Sequence, residues 1–458
     1  MCWRSYGAAA VRLGRYGSGL FDDAEVSPGD NATTPMSTAT DRVAQPSAEV
    51  KRRCRFCAAP LQHTFADLGM SPLSNSYVRL DKTDAMESFY PLHAYVCTKC
   101  WLVQLQVYET GEQIFSDYAY FSSYSDSWLA HSKAYALEMQ RRFGLGRNSL
   151  VVELASNDGY LLQYFKQLDV PVLGVEPAAN VAAVAIAKGI PTAVRFFGEA
   201  YARELVRQVG QADLLLGNNV LAHVPDLNDF VKGMKVALKP GGVITMEFPH
   251  LQRLVEQSQF DTIYHEHFSY FSFTTAERVF AHHGMTLFDV EELPTHGGSL
   301  RIYARHSEDA SKPTSARVDE LREREQRLGY GDLALYESFS DKVKEVKRNL
   351  LSFLIEAKRR GEVIVGYGAP AKGNTLLNYC GIRTDMIEYT VDRNPHKQNH
   401  LLPGTRIPVY GPERIAQTRP DYVLILPWNL KDEIMKDLAY VREWGCRFVV
   451  PIPEVRVE

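Results

Sequence analysis

The sequence predicts an α/β protein with a central Rossmann-like domain, a small cysteine-containing domain before it and a second Rossmann-like α/β domain after it. Three observations lead to this prediction. Apolar runs alternate with helical stretches over residues 149–250, a similar alternation returns after residue 361, and two Cys-x-x-Cys pairs precede both. Apolar strands that alternate with helices pair into parallel sheets covered on both faces, so both regions are expected to form open α/β sheets.

The composition argues against several classes of function. The chain has 458 residues, which suggests two to four domains, and its 45% hydrophobic and 23% charged residues are typical of a globular protein. A net charge of -4 offers no basic surface for nucleic acid. No run approaches the roughly 18 apolar residues of a membrane-spanning helix. We therefore expect a monomeric cytoplasmic protein whose partner is a small molecule, with no nucleic-acid or membrane partner.

Residues 1–50 are expected to lie outside the folded domains. Residues 1–21 carry arginines and no acid, which faintly resembles a transit peptide, but they lack the apolar core of a signal peptide. Residues 27–48 are rich in Ser, Thr, Pro and Ala and hold too few large apolar residues to build a core. We expect a disordered or mis-started N-terminus, with Met36 as an alternative start.

The remaining chain divides by composition into four segments. Residues 51–125 are rich in Cys, Tyr and Phe, and residues 126–313 carry the first α/β pattern. Residues 314–360 are charged, with apolar residues at helical spacing, and are expected to form a helical connector. Residues 361–458 carry the second α/β pattern.

Strands and helices alternate in a regular order within the two α/β segments. The predicted strands of the first are 149–156, 170–177, 212–219 and 241–249, and its predicted helices are 161–168, 178–189 and 227–238. A helix over 274–284 and two strands, 285–293 and 298–306, are expected to follow. The second segment opens with a strand near 363–367, followed by strands at 386–393, 421–428 and 446–453.

The seven cysteines include two closely spaced pairs, Cys54 with Cys57 and Cys97 with Cys100. An odd count with this spacing argues against a secreted disulfide framework and, in a reducing cytosol, indicates a metal site. Each pair can present two thiolates from one tight turn, and zinc binds four such ligands tetrahedrally. Because four thiolates leave no open position, we predict a structural zinc; the alternative is unliganded thiols or a redox pair.

The loop after the first strand of the central domain is polar at the place where α/β sheets bind nucleotides. It runs Glu-Leu-Ala-Ser-Asn-Asp-Gly and contains Glu153, Ala155, Asn157, Asp158 and Gly159. The loop has no G-x-G-x-x-G, which a dinucleotide needs because its pyrophosphate must approach the backbone closely. S-adenosylmethionine has no phosphate, so the loop predicts a site for this methyl donor.

Polar residues at the ends of two further strands fit the same ligand. Glu176 ends the second strand, where a carboxylate can accept hydrogen bonds from ribose hydroxyls. Asn218 and Asn219 end a later strand, and a glycine-rich strand follows. Any one of these residues is equally compatible with a turn or a helix cap. The ordered set predicts that Glu176 and Asn218 contact the donor.

A Tyr-His-Glu-His-Phe segment begins at Tyr264, beyond the last parallel strand. Its spacing differs from the zinc-binding H-E-x-x-H. In an extended segment, His265 and His267 would lie on one side and Glu266 on the other. Aromatic neighbours favour burial, which keeps an imidazole neutral and able to accept a proton; a purely structural role is the alternative. His223 is expected to converge on the same place from the neighbouring loop.

A glycine-rich turn with a lysine opens the second α/β domain. Gly368, Ala369 and Lys372 lie between its first strand and the next helix, and Asp392 ends the following strand. Backbone N–H groups at a helix N-terminus attract a pyrophosphate, and Lys372 adds a positive charge. The turn differs from G-x-x-x-x-G-K-[ST], which argues against ATP hydrolysis. We predict a nucleotide site with Asp392 as the ribose-binding acid; the alternative is a vestigial nucleotide fold.

Together these segments resemble the zinc-containing sugar C-methyltransferases, which include the tetronitrose and novobiose C-methyltransferases of antibiotic biosynthesis. The resemblance covers about residues 51–458. It is carried by six separated motifs in order: DLGMSPLSNSY with the flanking cysteine pairs, LASNDGYLL, NNVLAHV, YHEHFSYFS, HGGSLR and GYGAPAKGNTLLN. It implies a class I methyltransferase domain between the zinc domain and the C-terminal domain, with a sugar nucleotide bound between them.

The resemblance also implies an activity and roles for particular residues. Members methylate a carbon next to a keto group, commonly C3 of a dTDP-4-keto-6-deoxyhexose, with S-adenosylmethionine as donor. By motif match His267 is the expected general base, Tyr264 and Glu266 lie beside it, and Asn219 and His223 are further active-site positions.

Two points stay open from the sequence. Either Tyr118 or Tyr120 is expected to supply an N-terminal active-site tyrosine. Two other functions also fit parts of the pattern: methylation of a macromolecule, with the cysteine domain as reader, and a non-enzymatic zinc scaffold. The acidic charge balance and the pyrophosphate-like turn argue against the first, and the intact polar motifs against the second.

Overall fold

Three sheets organise the part of the chain that the computed structural model describes, which is residues 52–109, 111 and 121–458. Residues 51–458 form one compact unit. The expectations for residues 1–50, for Met36 and for Tyr118 and Tyr120 lie outside the described residues. Across the described ranges, no helix has both the length and the apolar character needed to cross a membrane.

The strands and helices of the described residues follow the predicted alternation. In chain order the strands are β1 (His63–Ser71), β2 (Val78–Arg79), β3 (Tyr90–Val96), β4 (Val103–Leu105), β5 (Val151–Leu154), β6 (Val172–Val175), β7 (Thr192–Ala193), β8 (Ala212–Asn218), β9 (Leu238–Pro249), β10 (Ser269–Tyr270), β11 (Met285–Leu293), β12 (Ser299–His306), β13 (Ile364–Tyr367), β14 (Thr390–Val391), β15 (His400–Leu401), β16 (Pro408–Tyr410), β17 (Tyr422–Ile425), β18 (Arg447–Val450) and β19 (Arg456–Val457). The α-helices are α1 (Asp126–Phe143), α2 (Leu162–Gln167), α3 (Ala179–Ala187), α4 (Glu199–Val209), α5 (Leu227–Ala237), α6 (Leu251–Glu256), α7 (Phe273–His282), α8 (Ala316–Arg327), α9 (Leu333–Arg359), α10 (Ala371–Cys380), α11 (Glu413–Thr418) and α12 (Lys431–Asp437).

The central sheet has seven strands in the order β11-β12-β9-β8-β5-β6-β7. Strands β5 to β9 are parallel, and β12 and β11 add an antiparallel hairpin beside β9. The chain starts at β5, moves outward to β7 and returns to β8 on the other side of β5. The strand order therefore reverses between β5 and β8, which is where open α/β sheets bind ligands.

Burial explains why the central strands form where the sequence predicts them. Val151, Val152 and Leu154 of β5 are fully buried, because helices cover both faces of the sheet. The four parallel strands predicted for this sheet are present, with ends that differ by a few residues, and β7 is an additional short strand. The Rossmann-like fold class of the central domain is confirmed.

The C-terminal sheet repeats this topology. Its eight strands lie in the order β19-β18-β17-β13-β14-β16-β15-β2, with β13, β14, β16, β17 and β18 parallel. The chain again starts in the middle, moves outward to β16 and returns to β17 on the other side of β13. The glycine-rich turn after β13 therefore lies at the carboxyl edge where the strand order reverses.

Two short strands pair with sheets formed by distant parts of the sequence. Strand β2, which lies between the two cysteine pairs in the sequence, pairs with β15 of the C-terminal sheet. Strand β10, which directly follows the histidine segment, pairs with β4 of the N-terminal sheet. The N-terminal sheet is antiparallel, in the order β1-β3-β4-β10. Because β2 and β10 each pair with a sheet from another part of the chain, the three sheets meet around the histidine segment.

The predicted helical connector consists of two helices, α8 and α9, with a break at residues 328–332. The long helix α9 packs on the N-terminal sheet. Phe339 stacks on Phe65 with ring centroids 4.5 Å apart, and Tyr336 stacks on Trp101 at 5.5 Å. Both residues of α9 are fully buried, so the connector is part of the core and fixes the N-terminal sheet against the rest of the molecule.

Candidate active site

The four predicted metal ligands come together in one cluster. The Sγ atoms of Cys54, Cys57, Cys97 and Cys100 all lie within 4.8 Å of one another. Cys54 is 3.5 Å from Cys100, and Cys57 is 3.5 Å from Cys97. Zn–S bonds of about 2.3 Å in a tetrahedron place the sulfurs about 3.8 Å apart. The cluster therefore fits zinc, and its separations are too long for a disulfide.

Local hydrogen bonds shape the cluster. The two loops turn back on themselves through a hydrogen bond from Ala58 N to Cys54 O and another from Trp101 N to Cys97 O. The side-chain amide of Gln104 donates to Cys54 Sγ at 3.1 Å, which supports a thiolate. With four sulfurs in place there is no open coordination position, so a zinc ion here is structural.

The predicted donor-site residues converge at the carboxyl ends of β5, β6 and β8. Ala155 and Asn157 both have positive φ angles, which are sparsely populated for such residues. Gly159 also has a positive φ, and a Cβ there would lie 2.4 Å from Ile190 Cδ1, so only glycine fits. The tight loop turns the polar groups of residues 153–159 towards the crevice where the strand order reverses.

Glu176 links two of these loops. Its buried carboxylate accepts a hydrogen bond from Asn157 N at 2.9 Å and another from Ala178 N at 2.8 Å. Burial raises its pKa, and the two backbone hydrogen bonds oppose that rise. Each oxygen retains a lone pair, and a ribose supplies the hydroxyl donors that such lone pairs accept.

Several buried polar atoms at this edge lack hydrogen-bond partners among the described residues. They are Asp158 Oδ1, Asn218 Nδ2 and Asn219 Oδ1. Buried polar atoms without partners are rare in folded proteins, and they are commonly satisfied by a ligand or water. S-adenosylmethionine carries amino, carboxylate and hydroxyl groups that match Asp158 Oδ1 and Asn218 Nδ2, so the crevice fits the donor. Lys188 Nζ lies 3.3 Å from the other oxygen of Asp158.

The histidine segment forms a turn, and the expected extended arrangement is wrong. His267 N donates to Tyr264 O at 2.8 Å, which folds residues 264–267 back on themselves. His265 is buried between the rings of Tyr90 and Tyr108, at centroid distances of 5.9 and 6.3 Å. His267 faces a different environment. The two histidines therefore do not share one side, and only one of them lies with the other predicted catalytic residues.

His267 is held in one tautomer at the centre of the site. Its Nδ1 lies 2.8 Å from Thr262 O, a carbonyl that can only accept, so Nδ1 carries the proton. Its Nε2 is then an acceptor, and it lies 2.8 Å from the Tyr264 hydroxyl. The His223 ring packs edge-on with a centroid distance of 4.6 Å. Burial, and then the neighbouring His223, hold the pKa of His267 well below its usual range, so its imidazole is neutral at pH 7.

Glu266 and His223 join neighbouring parts of the chain to this turn. Asn75 donates from its side-chain amide to Glu266 Oε1 at 2.7 Å. Burial raises the pKa of Glu266 to about 7. His223 is hydrogen-bonded to the backbone of Glu266, and burial lowers its pKa to about 4. Tyr264 and His267 therefore lie together with His223, which comes from a separate motif, whereas the Glu266 side chain bonds to Asn75.

A buried network near this cluster was missed in the sequence. Glu247, near the end of β9, accepts hydrogen bonds from His131 Nε2, from Arg301 and from the Thr295 hydroxyl, each at 3.0 Å. Burial raises the pKa of Glu247, but His131 and Arg301 outweigh it and hold the pKa below its usual range. His296, the residue after Thr295, has a positive φ, and burial lowers its pKa to about 4. Only the polar HGGSLR motif indicated this region.

The predicted nucleotide site has a partly different set of contacts from the one expected. Asp392 accepts from Ala369 N at 2.7 Å, which joins the ends of β13 and β14. Lys397 donates to Ala369 O at 2.9 Å and lies 3.9 Å from Asp392. The sequence did not indicate this residue. Gly368 has a positive φ, and a Cβ there would lie 2.6 Å from Pro427. The turn, Asp392 and Lys397 thus form one group.

Lys372 points away from that group. It donates to the side-chain oxygen of Asn429, and its Nζ lies 4.3 Å from the ring centroid of Trp428. Burial lowers the pKa of Lys372 to about 8. The structure therefore brings together three of the four predicted substrate-binding residues and places Lys372 elsewhere.

Comparison with known proteins covers almost the whole described chain. Residues 54–115 match a family described as a zinc binding domain, residues 128–290 a methyltransferase domain, and residues 294–453 a C-methyltransferase C-terminal domain. The chain is 35% identical over 404 residues to the C-methyltransferase NovU of Streptomyces niveus, covering 88% of this chain and 96% of that protein.

Similarity to solved structures is more distant. An S-adenosylmethionine-dependent methyltransferase from Clostridium acetobutylicum is 10% identical and covers 39% of this chain and 92% of its own, with a TM-score of 0.30. One from Anabaena variabilis is 13% identical and covers 40% of this chain and 93% of its own, with a TM-score of 0.31.

The four-cysteine cluster predicts that purified protein contains about one equivalent of zinc. Replacing Cys97 with serine removes one of four ligands and is expected to lower both the zinc content and the melting temperature, because structural metal binding contributes directly to folding. Elemental analysis and thermal denaturation measure the two effects. Cys446→Ser, at another buried cysteine outside the cluster, is the matched control and should retain full zinc. Less than half an equivalent in untreated wild-type protein would contradict the assignment.

The position of Glu176 predicts that Glu176→Ala weakens binding of S-adenosylmethionine by about tenfold or more, since lost hydrogen bonds to a buried carboxylate cost about 1–3 kcal/mol. Isothermal titration calorimetry measures the change. Glu204→Ala, at an exposed position on α4, should bind the donor as wild type does. Unchanged donor affinity in a folded Glu176→Ala variant would show that the carboxylate does not contact the ribose.

Proposed function

The chain belongs to the family of zinc-binding, S-adenosylmethionine-dependent C-methyltransferases that includes NovU, and on that premise we propose that it methylates a nucleotide-activated keto-deoxysugar. The proposed position is a carbon next to the ketone, such as C3 of a 4-keto-6-deoxyhexose. The observation that supports this reaction best is the single-tautomer imidazole of His267, whose Nδ1 faces Thr262 O and whose Nε2 faces the Tyr264 hydroxyl.

The chemical problem is the removal of a proton from carbon. A proton next to a ketone is acidic only because the resulting negative charge spreads onto oxygen, so the enzyme must supply both a base and groups that stabilise the enolate. His267 meets the requirements of the base, because burial keeps it neutral and its protonated Nδ1 leaves Nε2 as the acceptor. The proton of the sugar passes to Nε2.

Tyr264 controls access to that nitrogen. Its hydroxyl is 2.8 Å from Nε2, so the lone pair of the base is already hydrogen-bonded before substrate binds. We propose that the incoming sugar takes over the Tyr264 hydroxyl as a hydrogen-bond donor and thereby frees Nε2. Glu266 and Asn75 hold the turn in place during this exchange. The side chains of Asn219 and His223 lie at the same edge and are the proposed polar contacts to the sugar.

The donor and the nucleotide occupy the two α/β domains in this proposal. When bound, S-adenosylmethionine supplies an electrophilic methyl group to the carbon that has lost its proton. The loop of residues 153–159, Glu176 and Asn218 hold the donor. Gly368, Ala369 and Asp392 hold the nucleotide of the sugar at the second sheet edge. The zinc cluster has no open position and therefore serves the fold of the N-terminal domain.

The role of His267 predicts that His267→Asn lowers turnover by about 10²–10⁴-fold, the usual contribution of a positioned base. Asparagine keeps some hydrogen bonding but cannot accept a proton near neutral pH. Because a base acts in the transition state, the binding of donor and sugar nucleotide should change little. Turnover is measured by mass spectrometry with keto-sugar nucleotides, and binding by calorimetry.

The matched control for this variant is His265→Asn, two residues away and outside the cluster. It should retain most of the wild-type turnover. Exchange of the sugar's α-proton in heavy water, with a non-reactive donor analogue, provides a second readout. If wild-type protein exchanges this proton and His267→Asn exchanges it equally fast, another residue is the base.

A further inference from the structure

Two lysines of the C-terminal domain differ in what they face. Lys397 donates to the carbonyl of Ala369 in the glycine-rich turn and lies 3.9 Å from Asp392, so its charge is at the nucleotide-type site. Lys372, in the first turn of α10, bonds instead to Asn429 and lies over the ring of Trp428. The positive charge that the sequence assigned to the diphosphate is therefore supplied at the turn by a different residue.

Contacts around Lys372 lead to the histidine cluster. The Nε1 of Trp428 donates to Asp261 at 2.7 Å, at the start of the segment that contains His267. The same ring packs against Gly297, where a Cβ would lie 2.6 Å from it, next to His296. One turn along α10, the Thr375 hydroxyl donates to Ile263 O at 3.0 Å. The first turn of α10 therefore faces the catalytic turn, and Lys372 is on that side.

The electrostatics agree with this placement. The positive charge of Lys372 contributes to lowering the pKa of both His267 and His296, after the larger effect of burial. Asp261 is the acidic group that opposes the lowered pKa of Lys372. Lys372 Nζ donates to the neutral side chain of Asn429, and Asp261 acts on it as a nearby charge rather than as a hydrogen-bond partner. The site thus contains a partly buried ammonium whose hydrogen-bond partner is a neutral side chain.

We propose that Lys372 donates a hydrogen bond to the keto oxygen of the sugar and stabilises the enolate, while Lys397 faces the diphosphate. This inference rests on the proposed function. The α C–H bond breaks and its proton goes to His267 Nε2; its electron pair forms the C=C bond, and the C=O π pair moves onto oxygen beside the ammonium. The electron pair on the enolate oxygen then re-forms the C=O bond. The C=C π pair forms the new bond to the methyl carbon, and the electron pair of the broken C–S bond stays on the departing sulfur.

An ammonium at this position is well suited to the step. Charge that develops on the enolate oxygen is stabilised most by a fixed donor in a site shielded from water, because the local dielectric is low. The donor must also remain protonated while His267 is neutral. A pKa of about 8 for Lys372, beside the low pKa of His267, keeps one group an acid and the other a base at pH 7.

Binding of nucleotide alone separates the two lysines without any need for turnover. Affinities for dTDP and thymidine are measured by calorimetry on Lys372→Met and Lys397→Met. Lys397→Met is expected to lose about tenfold in dTDP affinity and little in thymidine affinity, whereas Lys372→Met should keep both within about threefold. A selective loss of dTDP affinity in Lys372→Met would overturn the inference, whatever the substrate proves to be.

Turnover measurements test whether Lys372 stabilises the enolate. With a keto-sugar nucleotide that wild-type enzyme methylates, Lys372→Met should lower kcat by about 10²–10³-fold with a small change in KM. Lys397→Met should mainly raise KM. A wild-type enzyme that is active and a Lys372→Met variant that keeps its kcat would contradict this inference alone. A wild-type enzyme inactive on every keto-sugar nucleotide would contradict the proposed function and, with it, the role of Lys372.

The pH profile distinguishes an acid that takes part in the reaction from a structural lysine. Since the pKa of Lys372 is lowered to about 8, its ammonium is present below pH 8 and is lost above it. The wild-type kcat should therefore fall as the pH rises through about 8. Lys372→Arg keeps a positive charge that does not titrate in this range. Lys372→Arg should retain part of the turnover, and its kcat should no longer fall as the pH rises through about 8. If kcat of this variant falls at high pH as it does in the wild type, the assignment is wrong.

Discussion

The position of the segment from Asp261 to Phe268 is the constraint on which the rest of the site depends. Each of the three domains contributes a contact. Asn75 of the N-terminal region binds the Glu266 side chain, Thr375 and Trp428 of the C-terminal domain bind Ile263 O and Asp261, and Phe268 N donates to Ala222 O of the central domain at 2.7 Å. Strand β10 then continues directly into the N-terminal sheet. A segment held from three sides can keep a tight turn and fixed side-chain orientations that an exposed loop would lose to conformational entropy.

This enclosure also sets the electrostatics of the site. Burial lowers the pKa of His223, His267, His296 and Lys372 and raises that of Glu266, so most of the groups that meet here move towards their neutral forms. Proton transfer from carbon needs such a combination, because a charged imidazole cannot act as a base and a solvated ammonium stabilises an enolate poorly. The interlocked domains thus account for the proposed chemistry as well as for the fold.

Much of this arrangement could be predicted from the sequence because its determinants are local. Apolar strand runs such as Val151–Leu154, the two cysteine pairs and the polar ends of β5 and β8 each follow from short patterns, and the topology of a parallel sheet brings the strand ends together. The turn at Tyr264–His267 was not predictable in this way, since its shape depends on contacts with Asn75 and Thr375, which are distant in sequence. For the same reason the partners of Glu247 and the separate directions of Lys372 and Lys397 were missed. Spacing indicates that a lysine is near a turn, but its side-chain direction depends on tertiary packing around Trp428 and Ala369.

The most direct test of the proposed function is to locate the transferred methyl group. Purified enzyme would be incubated with a dTDP-4-keto-6-deoxyhexose and S-adenosylmethionine carrying a ¹³C-labelled methyl group, and the product examined by NMR. The account predicts a new carbon–carbon bond, with the labelled methyl on the ring carbon next to the ketone and that carbon's original proton lost. A methyl group attached to oxygen or nitrogen, or to a carbon not adjacent to the ketone, would contradict it.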